Sequence, residues 1–119
     1  METSQVIAAL AALAQESRLA VFRALIQSSP AGLAAGKISE LTGIPPSSLS
    51  FHLKELSHAA MVSVRHEGRF AIYSANFATM TSLLQFLTEN CCGGASCLPL
   101  TVAASCTPLT VKTSRKKLR

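Results

Sequence analysis

A mainly α fold carrying one small β-hairpin is predicted by three observations. Apolar residues recur at helical spacing in five separate stretches. A Gly-Ile-Pro-Pro connection joins a short helix to a longer one with a polar outer face. Two β-branched and aromatic stretches, separated by His66-Glu67-Gly68, follow directly. About five helices plus a two-stranded wing result. Charged residues are only 14% of the chain, too few for a wholly solvated surface, so part of the apolar surface is expected to be buried against a second copy, making a homodimer.

The first helix is read over Ser4 to Ala14, with Val6, Leu10 and Leu13 on one face. The second runs Glu16 to Gln27, with Leu19, Phe22, Leu25 and Ile26 inward and Arg18 and Arg23 off that face. Ser28 to Gly32 is turn chemistry. A short helix spans Lys37 to Thr42, and Gly43 stops it. Pro46 suits the first position of the next helix, because its φ is already helical and its missing N–H would have had no partner there. That helix extends to His58, with a buried stripe of Leu49, Leu53, Leu56 and Ala60. Met61 to Arg65 and Arg69 to Ser74 form the hairpin, and Asn76 caps a last helix from Phe77 to Asn90, with Phe77, Met80, Leu84 and Leu87 on its inner face. The chain thus divides into a folded region, residues 1–92, and a cysteine-containing loop with a basic tail, residues 93–119, expected to be disordered.

Charge alone does not indicate a nucleic acid. The net charge is +5, but five of the eleven basic residues lie in the last eight positions, leaving six basic and six acidic residues in 1–111. Arrangement says more. Stepping 100° per residue from Leu49 and Leu53 turns Ser47, Phe51 and Lys54 outward, with Ser48 and Ser50 on the flanks. In a helix-turn-helix the second helix enters the major groove. Hydroxyls can meet base edges or phosphates, Lys54 a phosphate, and Phe51 a thymine methyl. His52 sits at the edge of the buried stripe, where packing or a structural hydrogen bond competes with base contact. Arg65 and Arg69 flank the hairpin tip, within reach of phosphates or the minor groove.

Cys91 and Cys92 are adjacent, and Cys97 follows across Gly93-Gly94-Ala95-Ser96, which lets the chain turn back. Three soft sulfurs with no histidine nearby select a thiophilic ion, and trivalent arsenic or antimony takes a three-sulfur shell. Zinc wants a fourth ligand, for which Cys106 is a remote candidate. A thiol-based redox switch and a small metal-buffering protein are the competing readings. No lysine or arginine lies beside the cysteines to activate a nucleophile, and neither a Ser/His/Asp arrangement nor a phosphate loop is present, so an enzyme is not expected. No stretch is long and apolar enough to span a bilayer, and Val6 to Ala14 lacks the positive residues that would precede a secretory h-region. A cytoplasmic location, with reduced cysteines and no membrane partner, is expected.

The stretch from Ile38 to Leu56, with its Ser50-Phe51-His52-Leu53-Lys54-Glu55-Leu56 core, then Ala60-Met61-Val62 and the hairpin ending in Tyr73, resembles the ArsR/SmtB family of metal-responsive repressors. Leu13 to Leu19 resembles that family's entry into its second helix. The resemblance covers residues 5–90. It implies a winged-helix homodimer whose first and last helices form the interface, which binds double-stranded operator DNA as an inverted repeat and releases it when a ligand binds. It also implies that Ser47, Ser48, Ser50 and Lys54 face DNA. Some arsenic-responsive members resemble this chain in a Cys-Cys pair plus a later Cys after the last helix, which makes As(III) or Sb(III) the implied inducer. The chain departs from the family in having Pro45-Pro46 where many members have Ser-Gln. It has no Cys-x-Cys in the helix before the turn, and no His or Asp to build a zinc site on the last helix.

Overall fold

The computed structural model describes residues 1–90 and Gly93. The elements are α1 (Thr3–Leu13), α2 (Glu16–Gln27), β1 (Leu33–Ala34), α3 (Ala35–Thr42), α4 (Pro46–His58), β2 (Val62–Glu67), β3 (Phe70–Ala75) and α5 (Phe77–Thr88). The cysteines at 91, 92, 97 and 106 and the basic tail lie outside the described residues, as does nearly all of the region expected to follow residue 92.

Helix boundaries follow from identifiable caps. Gln5 returns a side-chain bond to the Glu2 backbone N–H at 2.8 Å, closing a capping box at α1. Gln15 accepts from the Arg18 backbone at the start of α2, and Asn76 accepts from Thr79 at the start of α5, as the sequence predicts for Asn76. Pro46 occupies the first turn of α4. Gly43 ends α3 at φ +77°, a left-handed value that costs a residue without Cβ little. No single helix among the described residues is long and apolar enough to cross a membrane, and α1 and α2 are bent by 98° at their junction.

The sheet has three strands rather than the two expected. β1 pairs antiparallel with β3 through Leu33↔Tyr73 and Ala34↔Ile72, giving the order β1-β3-β2. β2 and β3 form the hairpin, with Val62↔Ala75 through Glu67↔Phe70 in register. The tip is therefore Gly68-Arg69, one residue later than predicted. Gly68 has φ +62°, the position a type II′ turn reserves for glycine.

The core joins α1, α2, α3, α4, β2, β3 and α5 through residues that include Val6, Ala9, Val21, Phe22, Leu25, Ile38, Leu49, Leu53, Leu56, Val62, Ala75 and Leu83, with Met61 just before β2. Three predicted faces need correction. α1 buries Val6, Ala9 and Ala12, while Leu10 is 41% exposed. α2 buries Val21 where Leu19 was expected, leaving Leu19 exposed. In α5 the fully buried residue is Leu83, and Leu87 is exposed. Ala60 does not extend the α4 stripe either. It lies past the helix end, exposed, at φ 62°. Its N–H donates to the Ser57 carbonyl and the Met61 N–H to the Leu56 carbonyl, both at 3.0 Å, a Schellman closure that drives Met61 into the core.

Candidate nucleic-acid interface

α3, the turn Gly43-Ile44-Pro45 and α4 form the helix-turn-helix unit. Two hydroxyls brace it. Ser39 Oγ donates to the Ile44 carbonyl at 2.6 Å, and Thr42 Oγ1 donates to the Ile38 carbonyl at 2.7 Å. Polar groups of the turn are thus satisfied by its own side chains, which fixes the direction in which α4 leaves.

α4 rests on Leu49, Leu53 and Leu56, each at most 2% exposed. Its 3.6-residue period then leaves Ser47, Ser48, Ser50, Phe51 and Lys54 on the surface, where the sequence placed them. Phe51 is 56% exposed, a large aromatic with no core to enter. Ser50 Oγ donates back to the Pro46 carbonyl at 3.2 Å, so in this rotamer its lone pairs face outward as acceptors. At the helix start, Leu49 is the first residue whose N–H reaches back, to the Pro45 carbonyl at 2.9 Å. Pro45 offers no side-chain cap. Among the described residues the N–H groups of Ser47 and Ser48 therefore have no partner at the positive end of the helix, beside two hydroxyls, a donor set suited to a phosphate oxygen.

The remaining predicted residues separate into two kinds. Arg69 sits in the exposed hairpin turn. Arg65, in contrast, is held down. Its Nε donates to Glu67 Oε2 at 2.8 Å, two residues along the same strand face, and its Nη2 donates to the Ala31 carbonyl at 3.0 Å. It ties the hairpin to the loop before β1. His52 is half-buried, with Nδ1 3.4 Å from Arg18 Nη1. That contact spans 34 residues of sequence, and no local pattern signals it.

Electrostatic supply on this side is small. Lys37 pairs with Glu40 at 3.1 Å and Arg65 with Glu67, while Lys54 and Arg69 have no carboxylate within 4 Å among the described residues. Also among the described residues, no group of three or more His, Cys, Asp or Glu comes together to hold a metal ion. α5 ends at Thr88, two residues before the predicted end, and Asn90 takes φ 59°.

Residues 13–65 match the helix-turn-helix domain family. A search of the curated proteins finds no match. Among solved structures, NolR from Sinorhizobium fredii is 28% identical, with TM-score 0.58 over 77% of this chain and 88% of its own. HlyU from Vibrio cholerae is 26% identical, with TM-score 0.61 over 77% of this chain and 99% of its own. The homodimeric winged helix-turn-helix DNA-binding domain of a possible ArsR-family transcriptional regulator from Mycobacterium bovis is 26% identical, with TM-score 0.60 over 73% of this chain and 81% of its own. The element order, the hairpin after the second helix of the unit and these likenesses establish that the chain carries a helix-turn-helix domain within a winged-helix fold.

Proposed function

We propose that this chain is a DNA-binding transcriptional repressor of the ArsR/SmtB family. In this reading it acts as a homodimer on an inverted repeat and leaves its operator when arsenite or antimonite binds Cys91, Cys92 and Cys97. One observation carries the DNA-binding half. The solvent face of α4 gathers Ser47, Ser48, Ser50, Phe51 and Lys54 around two unpaired backbone N–H groups, next to a hairpin tipped by Arg69. This combination offers phosphate contacts that set register and side chains that can read base edges. The likeness to the possible ArsR-family regulator from Mycobacterium bovis supports the assignment.

The dimer is supported by apolar side chains left exposed on α1 and α5: Ile7 at 61%, Leu10 at 41% and Leu87 at 54%. A second copy covering them returns apolar area to a dry environment. The inducer half rests on donor chemistry. Three thiolates follow α5 within seven residues. Pyramidal As(III) needs three soft ligands and no fourth, which these cysteines can supply. A ligand held there acts beside the dimer helices, so its effect on DNA passes through the relative placement of the two α4 helices. Release requires it to bind the DNA-free dimer more tightly, by about 1–3 kcal/mol for a typical coupling. The chain would work in the cytoplasm, where thiols stay reduced.

The test is anisotropy of a labelled promoter duplex from the chain's own gene with reduced protein, with and without micromolar arsenite, for the parent and a Cys91→Ser/Cys92→Ser double variant. Arsenite is expected to release the parent and not the variant. A parent that binds DNA and ignores arsenite, but releases on peroxide, replaces the metalloid sensor with a thiol redox sensor of the same fold. A parent that binds arsenite and no DNA is a metal buffer, and the repressor reading is wrong.

A further inference from the structure

Arg18 connects two elements with different duties. Its backbone N–H is capped by the Gln15 side chain at 2.9 Å, which fixes where the residue starts. Its Nε donates to the Ala12 carbonyl at 2.7 Å. That carbonyl is in the last turn of α1, where carbonyls lack helical partners and a cation meets the negative end of the helix. α1 has no basic residue of its own in its last turn. The same guanidinium places Nη1 3.4 Å from His52 Nδ1 on α4. Arginine only donates, so a hydrogen bond between them uses Nδ1 as the acceptor. The His52 ring in turn stands edge-on to Phe51, with centroids 5.7 Å apart and planes at 63°. Phe51 is the exposed aromatic of the α4 face.

We infer that Arg18 and His52 are positioning residues for DNA reading, transmitting the location of the α1 end to the outward face of α4 at Phe51. The guanidinium is one rigid plane, so Nε and Nη1 cannot move independently. Fixing the Ala12 carbonyl fixes where His52 finds its donor, and the His52 ring limits where the Phe51 ring can lie. A shift at the end of α1 therefore turns into a shift of the Phe51 face rather than being absorbed by a flexible side chain. No carboxylate lies within 4 Å of Arg18 or His52 among the described residues to compete for either group. The inference rests on reading α4 as the recognition helix.

The full chain is used to select a duplex from a random pool. Anisotropy then gives the affinity ratio between that duplex and a scrambled one of equal length. Arg18→Lys keeps the charge but replaces the rigid two-point plane with one rotatable ammonium nitrogen, which does not couple the two acceptors. His52→Leu removes the acceptor, and His52→Gln restores one. Arg18→Lys and His52→Leu are each expected to lower the ratio by about tenfold. The double variant should be no worse than either single one, and His52→Gln should stay within about threefold of the parent. Binding to the scrambled duplex should not change in any of them. Ratios unchanged in Arg18→Lys and His52→Leu, or two losses that multiply in the double variant, overturn the inference while leaving α4 as the recognition helix. A parent that enriches no duplex overturns both. If Arg18→Lys does not fold, by circular dichroism and thermal midpoint, the contrast between His52→Leu and His52→Gln decides alone.

Discussion

Replacing Gly32 with alanine should cost this fold far more than a methyl group suggests. Gly32 has φ +81°, where an L-residue loses about 1–2 kcal/mol from Cβ crowding. A Cβ there would also stand 2.7 Å from the Tyr73 carbonyl oxygen and 2.6 Å from Ser74 Oγ. The serine can rotate away, but the carbonyl belongs to β3 and cannot. Relief requires the Gly32 loop to lift, which pulls at Leu33↔Tyr73 and Ala34↔Ile72, the whole of the β1–β3 pairing. Each backbone hydrogen bond given up adds about 0.5–1.5 kcal/mol, so with two of them lost the total is about 2–5 kcal/mol. The same chemical change at Gly36, in α3, meets nothing within 4 Å and should stabilise by about 0.5–1 kcal/mol, because alanine orders more readily in a helix. Urea unfolding at one fixed protein concentration reads both, since a dimer's midpoint depends on concentration. The midpoint should fall for Gly32→Ala and rise for Gly36→Ala, with similar slopes. A Gly32→Ala variant within about 0.5 kcal/mol of the parent would refute the steric argument.

Ala60→Gly should raise stability by about 0.5–1 kcal/mol in the same assay, because Ala60 holds φ 62° at the residue closing the α4 Schellman turn, and a lower midpoint would show that the turn is not strained. Lys54→Ala should weaken DNA binding on all sequences and reduce the slope of log affinity against log salt by about one, read by anisotropy across a salt series. Arg69→Ala should behave like Lys54→Ala with an unchanged thermal midpoint. Arg65→Ala should instead lower the midpoint, since it frees the hairpin from the Ala31 carbonyl, and should change the salt slope less than Arg69→Ala does.

Most of the element order was legible because each helix carried a local stop or start. α2 and α4 begin and end where the sequence placed them, since Gln27 precedes turn residues and Pro46 can only open a helix. Inner faces were read less well, for a physical reason. Large apolar residues were assigned inward, yet α1 buries Ala9 and Ala12, small side chains that allow close helix approach, and leaves Ile7 and Leu10 outside. In the proposed dimer that surface meets a second chain, which would reverse the usual inference from residue size. β1 escaped notice because two residues cannot show an alternation, and its pairing is set by β3, some forty positions later. Ala60 fitted the α4 period by number while the backbone had already turned left-handed. The outer face of α4 was legible residue by residue, because its inner leucines fix the phase. The role of Arg65 was not, and for His52 the structural contact was anticipated but not its partner, since each depends on a residue distant in sequence, Ala31 and Arg18.

The charge arrangement bears on how such a dimer would let go of DNA. Among the described residues only Lys54 and Arg69 stand on the proposed DNA side with no carboxylate partner, and residues 1–111 carry no net charge. Counterion release scales with the phosphates neutralised, so one protomer gains little affinity from it. Tight binding then requires both protomers at once, each raising the effective concentration of the other at its half-site, and that gain vanishes when geometry forbids simultaneous contact. For a proposed dimer on an inverted repeat the half-sites would lie one helical turn, about 34–36 Å, or a multiple of it apart, a spacing set by the helical repeat of DNA. A ligand beside the dimer helices therefore need not unfold the reading head or block it. In the proposed mechanism, changing the separation or tilt of two weak, properly formed heads would be enough, and the low charge of each head would make so small a movement effective.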